Sequence, residues 1–316
     1  MKRSAVSRKS RTAAAYGKYI PALLLFGSNG ILAGHIHLAS CQIVLLRTFF
    51  GSMLLLLIGI ARHSLRGILQ YRKDVLYVVL SGVCMGASWM FQYEAYRRIG
   101  VSITSLLYCL GPILVVILSQ IAGRKSLSLK KILCLAAVTA GAVMTGGLSL
   151  QQNPDTAGIF CALMCAVTYT GLILLNKKST AVTGLPNAIL QLTAGFITVF
   201  VYNTARWISG STPAIRLDVH EWIPVLMLGL LNTGVGCYLY FSGISEIPAQ
   251  TVAVCDYLEP LTAVILSALI LHESLSGWQL AGAVLIAGGT LAWNICPHPV
   301  NQTGCCKSRV KSDAQT

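Results

Sequence analysis

The chain has 316 residues and a formal net charge of +14, yet only 11% of its residues are charged and 55% are apolar. With a mean hydropathy of +0.69, this composition excludes an ordinary soluble domain and indicates a polytopic membrane protein. The basic excess does not call for nucleic acid as a partner, because it sorts onto alternate loops.

Met1 to Lys18 is basic and polar and reads as a cytoplasmic anchor. No small-residue cleavage site stands out after it, so a signal peptide is not expected. Ten apolar spans follow, near 19–37, 41–61, 75–96, 100–122, 129–148, 156–176, 185–207, 221–244, 248–271 and 277–296. A bilayer core asks for roughly 20 apolar residues per helix. Residues 149–155 link the fifth span to the sixth, and the polar tail 297–316 closes the chain. With the N-terminus inside, the inner segments hold 19 of the 24 Lys and Arg, and the outer segments only Arg97, Arg98, Arg206 and Arg216. Arg47 lies within a span. Positive charge on the inner loops therefore puts both ends in the cytoplasm, with the protein in the plasma (inner) membrane. Most of the 11 cysteines lie in apolar runs, and no CxxC pair occurs. They read as small buried hydrophobes, so neither a metal site nor a cofactor is expected. Cys305-Cys306 and the sequon at Asn301 fall in the tail and are given no role.

Span nine carries Asp256 and Glu259 near its middle, followed by Pro260. A carboxylate at that depth costs at least about 2.5 kcal/mol unless it faces a cavity or a partner. Proline also removes a helical donor, which should free the carbonyl of Asp256. Span four repeats the pattern at an offset of 148. Pro260 falls on Pro112, Val264 to Ser267 on Val116 to Ser119, Gly234 on Gly86 and Gly289 on Gly141. This is an internal duplication of five spans. An odd number inserts the second copy upside down, as in secondary transporters. Asp256 then has Tyr108 as its mate and Glu259 has Gly111. Pro112 and Pro260 are read as hinges in helices that face each other, with packing kinks as the plainer alternative.

The lining candidates are Asn29, Trp89, Tyr93, Tyr108, Tyr169, Asn232, Tyr238, Asp256, Tyr257 and Glu259, with Glu259 and Asp256 as proton-coupling candidates. Ser28-Asn29 between Gly27 and Gly30, and Asn232 near Gly234 and Gly236, suit thinned or broken helices. Trp89, Gln92, Tyr93 and Tyr96, with Tyr238 and Tyr240, could form an aromatic cage, Tyr96 alternatively joining an interfacial belt. Arg47 is expected to pair with Glu94, to snorkel, or to bind a substrate carboxylate; a structural role is favoured. The small-residue runs Ala140-Gly141 and Gly288-Gly289 read as helix contacts or the face of a homodimer. Ser276-x-x-Gln279 has the form of a capping box.

The run Leu271-His272-Glu273-Ser274-Leu275-Ser276-Gly277-Trp278-Gln279-Leu280-Ala281-Gly282-Ala283-Val284-Leu285-Ile286-Ala287-Gly288-Gly289 and the count of ten spans resemble the paired EamA domains of the drug/metabolite transporter superfamily. The resemblance covers 19–148 and 156–296. It implies an all-α membrane protein of ten transmembrane helices in two inverted repeats. It also implies a central cavity lined by spans one, three, four, six, eight and nine, and more often export than import. Lys125 stands where the second half has Glu273, so a symmetric pair of acids is not expected. The reading is a carrier that moves a small metabolite, an amino acid or organic cation, by alternating access, with protons as a candidate coupling ion. The rival is a membrane-embedded enzyme acting on a lipid or prenyl substrate. No HExxH or GxSxG motif supports that rival.

Overall fold

A computed structural model describes residues 2–123, 128–146, 155–211, 214–270 and 276–295. Lys125, Glu273, Cys305, Cys306, Asn301 and nearly all of the 149–155 linker lie outside the described residues. Every regular element among the described residues is helical. Helices α1 (Lys2–Gly27), α2 (Asn29–Ala33), α3 (Ser40–Ala61), α4 (Arg72–Tyr108), α5 (Leu110–Gly123) and α6 (Leu129–Gly146) make up the first half. The second half holds α7 (Thr156–Lys178), α8 (Leu185–Ile208), α9 (Trp222–Leu226), a π-helical segment (Met227–Val235), α10 (Gly236–Ile244), α11 (Ala249–Cys255), α12 (Leu258–Ile270) and α13 (Gly277–Ile295).

Among the described residues, six helices are long and apolar enough to cross a membrane: Ser40–Ala61, Arg72–Gly100, Thr156–Lys178, Leu185–Ile208, Val219–Ile244 and Ala249–Ile270. Leu110–Gly123 is apolar but shorter. Backbone breaks account for part of the difference from the ten expected spans. α1 gives way to α2 at Ser28, as the flanking glycines suggested. Gly100, at φ +75°, divides α4, where a side chain would be strained.

Polar contacts set neighbouring helices antiparallel. At one end Arg98, late in α4, meets Asp155, which precedes α7. At the other end Asp74, early in α4, accepts the amides of Thr180 and Ala181 beyond α7. Arg206 at the close of α8 reaches Glu94, while Asn176 late in α7 bonds Asn187 early in α8. The bundle therefore has an Arg98 end and a Lys177 end. A buried amide network of Asn176, Asn187, Gln191 and Ser81 ties α4, α7 and α8 together near the Lys177 end, with distances of 2.9–3.3 Å. Its polar atoms are satisfied by one another, as burial demands.

Small residues set the spacing of α6 and α13. A Cβ added at Gly282 would lie 2.6 Å from the carbonyl oxygen of Gly141, and one at Gly141 would lie 2.6 Å from that of Gly282. Gly141 and Gly289 therefore serve a contact within the chain and not a dimer face; Gly288 has nothing within 4 Å. Ser276 opens α13 with the expected capping box: its amide donates to Gln279 Oε1 at 2.9 Å, and the Gln279 amide returns to Ser276 Oγ at 3.2 Å. Leu57, Ile60, Phe160, Val201 and Val284 stand exposed on the exterior. That inverts the rule for proteins in water and fits hydrocarbon as the solvent.

Candidate functional site

The site is built where three helices are interrupted. The α11–α12 helix breaks at Asp256-Tyr257 and the α4–α5 helix at Cys109, in each case shortly before a proline. Pro260 does not free the carbonyl of Asp256: the amide of Glu259 bonds it at 3.1 Å. The turn tightens by one residue, so the carbonyl finds a donor nearer than the proline position. The two breaks meet. Tyr257, 3% exposed, donates its hydroxyl to the Cys109 carbonyl at 2.9 Å and lies 3.3 Å from Thr139 Oγ1. Its hydroxyl is thus engaged between helices, although the sequence grouped Tyr257 with the lining residues.

Asp256 is the most heavily bonded side chain here. The Tyr19 hydroxyl from α1 lies 2.5 Å from Oδ1 and 2.9 Å from the Val252 carbonyl. Tyr240 from α10 donates to Oδ2 at 3.0 Å, and Tyr169 from α7 donates to the same oxygen. All three tyrosines are buried. Three O–H donors on one carboxylate replace much of the water that a charge loses on burial. Sequence reasoning proposed Tyr169 as a lining residue and put Tyr240 in an aromatic group, and it missed Tyr19. Nothing local links Tyr19 to a carboxylate 237 residues away.

Glu259, three residues on, is different. It is partly exposed and makes no side-chain hydrogen bond or ion pair among the described residues. The charges whose fields reach it are those of Asp256 and Arg47. Tyr96, Tyr108 and Tyr240 lie within its own field. Tyr108 is half-buried and meets Tyr169 edge-on, ring centres 5.4 Å apart. At Gly111, the sequence mate of Glu259, an added Cβ would lie 2.8 Å from the Tyr169 ring, so the first half has no room for a matching acid.

Arg47 departs from the expected pairing. Glu94 bonds Arg97 at 2.5 Å, Arg98 at 2.8 Å and Arg206 at 3.1 Å, all at the Arg98 end. With three guanidiniums already around it, Glu94 is not left for Arg47. Nor does Arg47 snorkel. It is buried, its guanidinium carbon lies 4.3 Å from the centre of the Trp89 ring, and its Nε has no hydrogen-bond partner. A cation on an indole face is a favourable pair. The buried cation and Glu259 thus carry opposite charges, and neither makes an ion pair among the described residues.

The remaining candidates flank this region. Asn232, in the π-helical segment, directs Nδ2 at the Leu25 carbonyl, Ser28 Oγ and Asn29 Oδ1, at 2.8–3.0 Å. It stitches the α1–α2 break to a segment whose own winding is irregular. Tyr93 meets Tyr96 edge-on at 5.9 Å, and Tyr96 accepts from Gln92 at 2.8 Å. Both contacts are made within α4, and Tyr96 is partly exposed. Tyr238 is half-buried against the core, one turn before Phe241.

Residues 19–147 and 156–295 match the model of the EamA-like transporter family. The uncharacterized transporter YxxF of Bacillus subtilis (strain 168) is 24% identical over 290 residues, which covers 90% of either chain. Protein PecM of Dickeya dadantii (strain 3937) is 24% identical over 212 residues, 66% of this chain and 69% of PecM. A crystal structure of a protein 18% identical covers 89% of this chain and 97% of its own at a TM-score of 0.74, which is a likeness of fold.

Proposed function

The chain belongs to the EamA-like transporter family, and from that premise we propose that it is a ten-span carrier built of two inverted five-span halves, 19–148 and 156–296. It moves a small metabolite across the plasma (inner) membrane by alternating access, in the export direction, with both termini in the cytoplasm. The solute is an amino acid or an organic cation, and the carrier works beside lipid and, as a homodimer, beside a second copy. Glu259 contacts the solute or its coupling proton. Asn29, Trp89, Tyr93, Tyr108, Tyr169, Asn232, Tyr238, Tyr257 and Asp256 shape the cavity, and Pro112 and Pro260 mark its hinges. The observation that carries this reading is Glu259, without a hydrogen bond or ion pair on a broken helix, within reach of the charge of a buried Arg47 that rests on Trp89. Opposite charges kept apart inside an apolar bundle are expensive unless a ligand joins them.

The test is flux in proteoliposomes for labelled amino acids and organic cations, with and without a pH gradient, for the native chain and Glu259→Gln. The expected result is gradient-driven flux of one solute class that loses its gradient response in the variant. Equal flux and equal gradient response in both proteins would remove Glu259 from the mechanism.

A further inference from the structure

α1 and α13 flank a groove of about 770 Å³ whose lining includes Cys255 and Leu258 beside the α11–α12 break, but neither Asp256 nor Glu259. Its lining is graded along its length. Toward the Lys177 end it presents Tyr16, Glu246 and Asn294; deeper in the bundle it presents Ile20, Leu258 and Ala287. Asn294 and Ala287 are seven residues apart on α13, about 10 Å along the axis. The Tyr16 hydroxyl donates to Asn294 Oδ1 at 2.9 Å, a strut from α1 to α13.

Two polar groups in the lining bear on what the groove can hold. Thr290 is 5% exposed, and its buried hydroxyl has no hydrogen-bond partner. Glu246 is exposed at the rim and is the single charged residue of the lining; the Lys177 ammonium, which feels its charge, is itself bonded to the carbonyls of Ile244 and Ile247, and Glu246 makes no side-chain hydrogen bond or ion pair among the described residues. A buried hydroxyl facing a groove normally finds an acceptor there. A ligand that answers both groups has a cationic donor at the rim, an acceptor about one turn deeper and an apolar body below.

We propose that this groove holds a glycerophospholipid whose headgroup carries a primary ammonium. The ammonium donates to the Glu246 carboxylate, the ester region accepts from Thr290, and the acyl chains run along Ile20, Leu258 and Leu291. Charge complementarity selects this occupant. A quaternary ammonium has no N–H to donate, and a net anionic headgroup would meet a carboxylate. The proposal rests on the chain spanning a bilayer and not on which solute it carries.

The experiment uses the full chain in nanodiscs of phosphatidylcholine, with a trace of phosphatidylethanolamine bearing a photoactivatable acyl chain. Cross-linked peptides are mapped by mass spectrometry. Labelling is expected to concentrate on the stretches around Tyr16 to Ile20 and Ala287 to Asn294. Unlabelled phosphatidylethanolamine should compete it away, and phosphatidylcholine or phosphatidylglycerol should not. Glu246→Gln, at an exposed position, should reduce it by about two- to fivefold, the scale of one exposed ion pair. Labelling spread evenly over the exterior, labelling that a phosphatidylcholine probe reproduces, or labelling indifferent to Glu246→Gln would overturn the proposal. The readout involves no solute, so failure of the transport reading would leave it unaffected.

Discussion

At the scale of single residues, the three tyrosines on Asp256 divide the two acids of the α11–α12 break. Asp256 is anchored to α1, α7 and α10, whereas Glu259 is left open. Removing one donor from a buried carboxylate costs about 1–3 kcal/mol. Tyr169→Phe and Tyr240→Phe are each expected to destabilise the chain by that amount in reversible unfolding from detergent. In a double-mutant cycle with Asp256→Asn, each should show a coupling above about 0.5 kcal/mol. Additive losses would mean that the hydroxyls act independently of the carboxylate. Asp155 offers a second check outside the spans. Its hydrogen bonds from Arg98 and from the Ala157 amide hold its carboxyl below the usual range. A lowered folded value contributes stability that is present above the unfolded value of about 4 and is lost as pH falls through the folded value. Asp155→Asn should therefore lower the unfolding temperature at pH 7 and flatten the acid side of a thermal-unfolding profile, the variant and the native chain converging as pH falls below about 4. An unchanged acid limb would refute the assignment.

At the scale of helices, close approach decides which glycines matter. Gly282→Ala drives a methyl into the Gly141 carbonyl, and backbone cannot yield as a side-chain tip can. Overpacking of this kind costs about 1–3 kcal/mol. Gly288→Ala meets nothing and gains up to about 1 kcal/mol of helix propensity. Chemical unfolding of the two variants should move in opposite directions, and a neutral Gly282→Ala would disprove the α6–α13 packing. The breaks were legible in the sequence because glycine and proline act locally: Gly27 and Gly30 flank Ser28-Asn29, and a proline follows each of the other two breaks. The helix-to-helix partners were not. Register between distant segments is set by packing, so Tyr19 gave no sign of Asp256, and Arg47 was matched with an acid that three other arginines already hold. The free state of Glu259 was half legible: its chemistry stood out, but its lack of a partner needed three dimensions.

At the scale of the whole molecule, charge sorts by end. Asp74 and Lys177 mark one end, and Arg98, Asp155 and Arg206 mark the other. Under the proposed orientation, Lys73 lies inside and Arg216 outside, and both are exposed. In a cysteine-free background, a membrane-impermeant thiol reagent applied to intact cells should label Arg216→Cys and spare Lys73→Cys. The reverse pattern would turn the molecule over. The hydroxyl of Tyr257 on the carbonyl of Cys109 joins positions 148 residues apart, the same interval that relates the two halves of the sequence. The bond is drawn once, since cysteine has no phenol with which to answer. The break at Asp256 finds its donor in its own chain segment, at Glu259, while the break at Cys109 borrows one from the opposite half. The two breaks are thus unequal partners, one self-sufficient and the other dependent, and a movement that begins at the acids reaches the first half both through the Tyr19 hydroxyl on Asp256 and through the Tyr257 hydroxyl on Cys109.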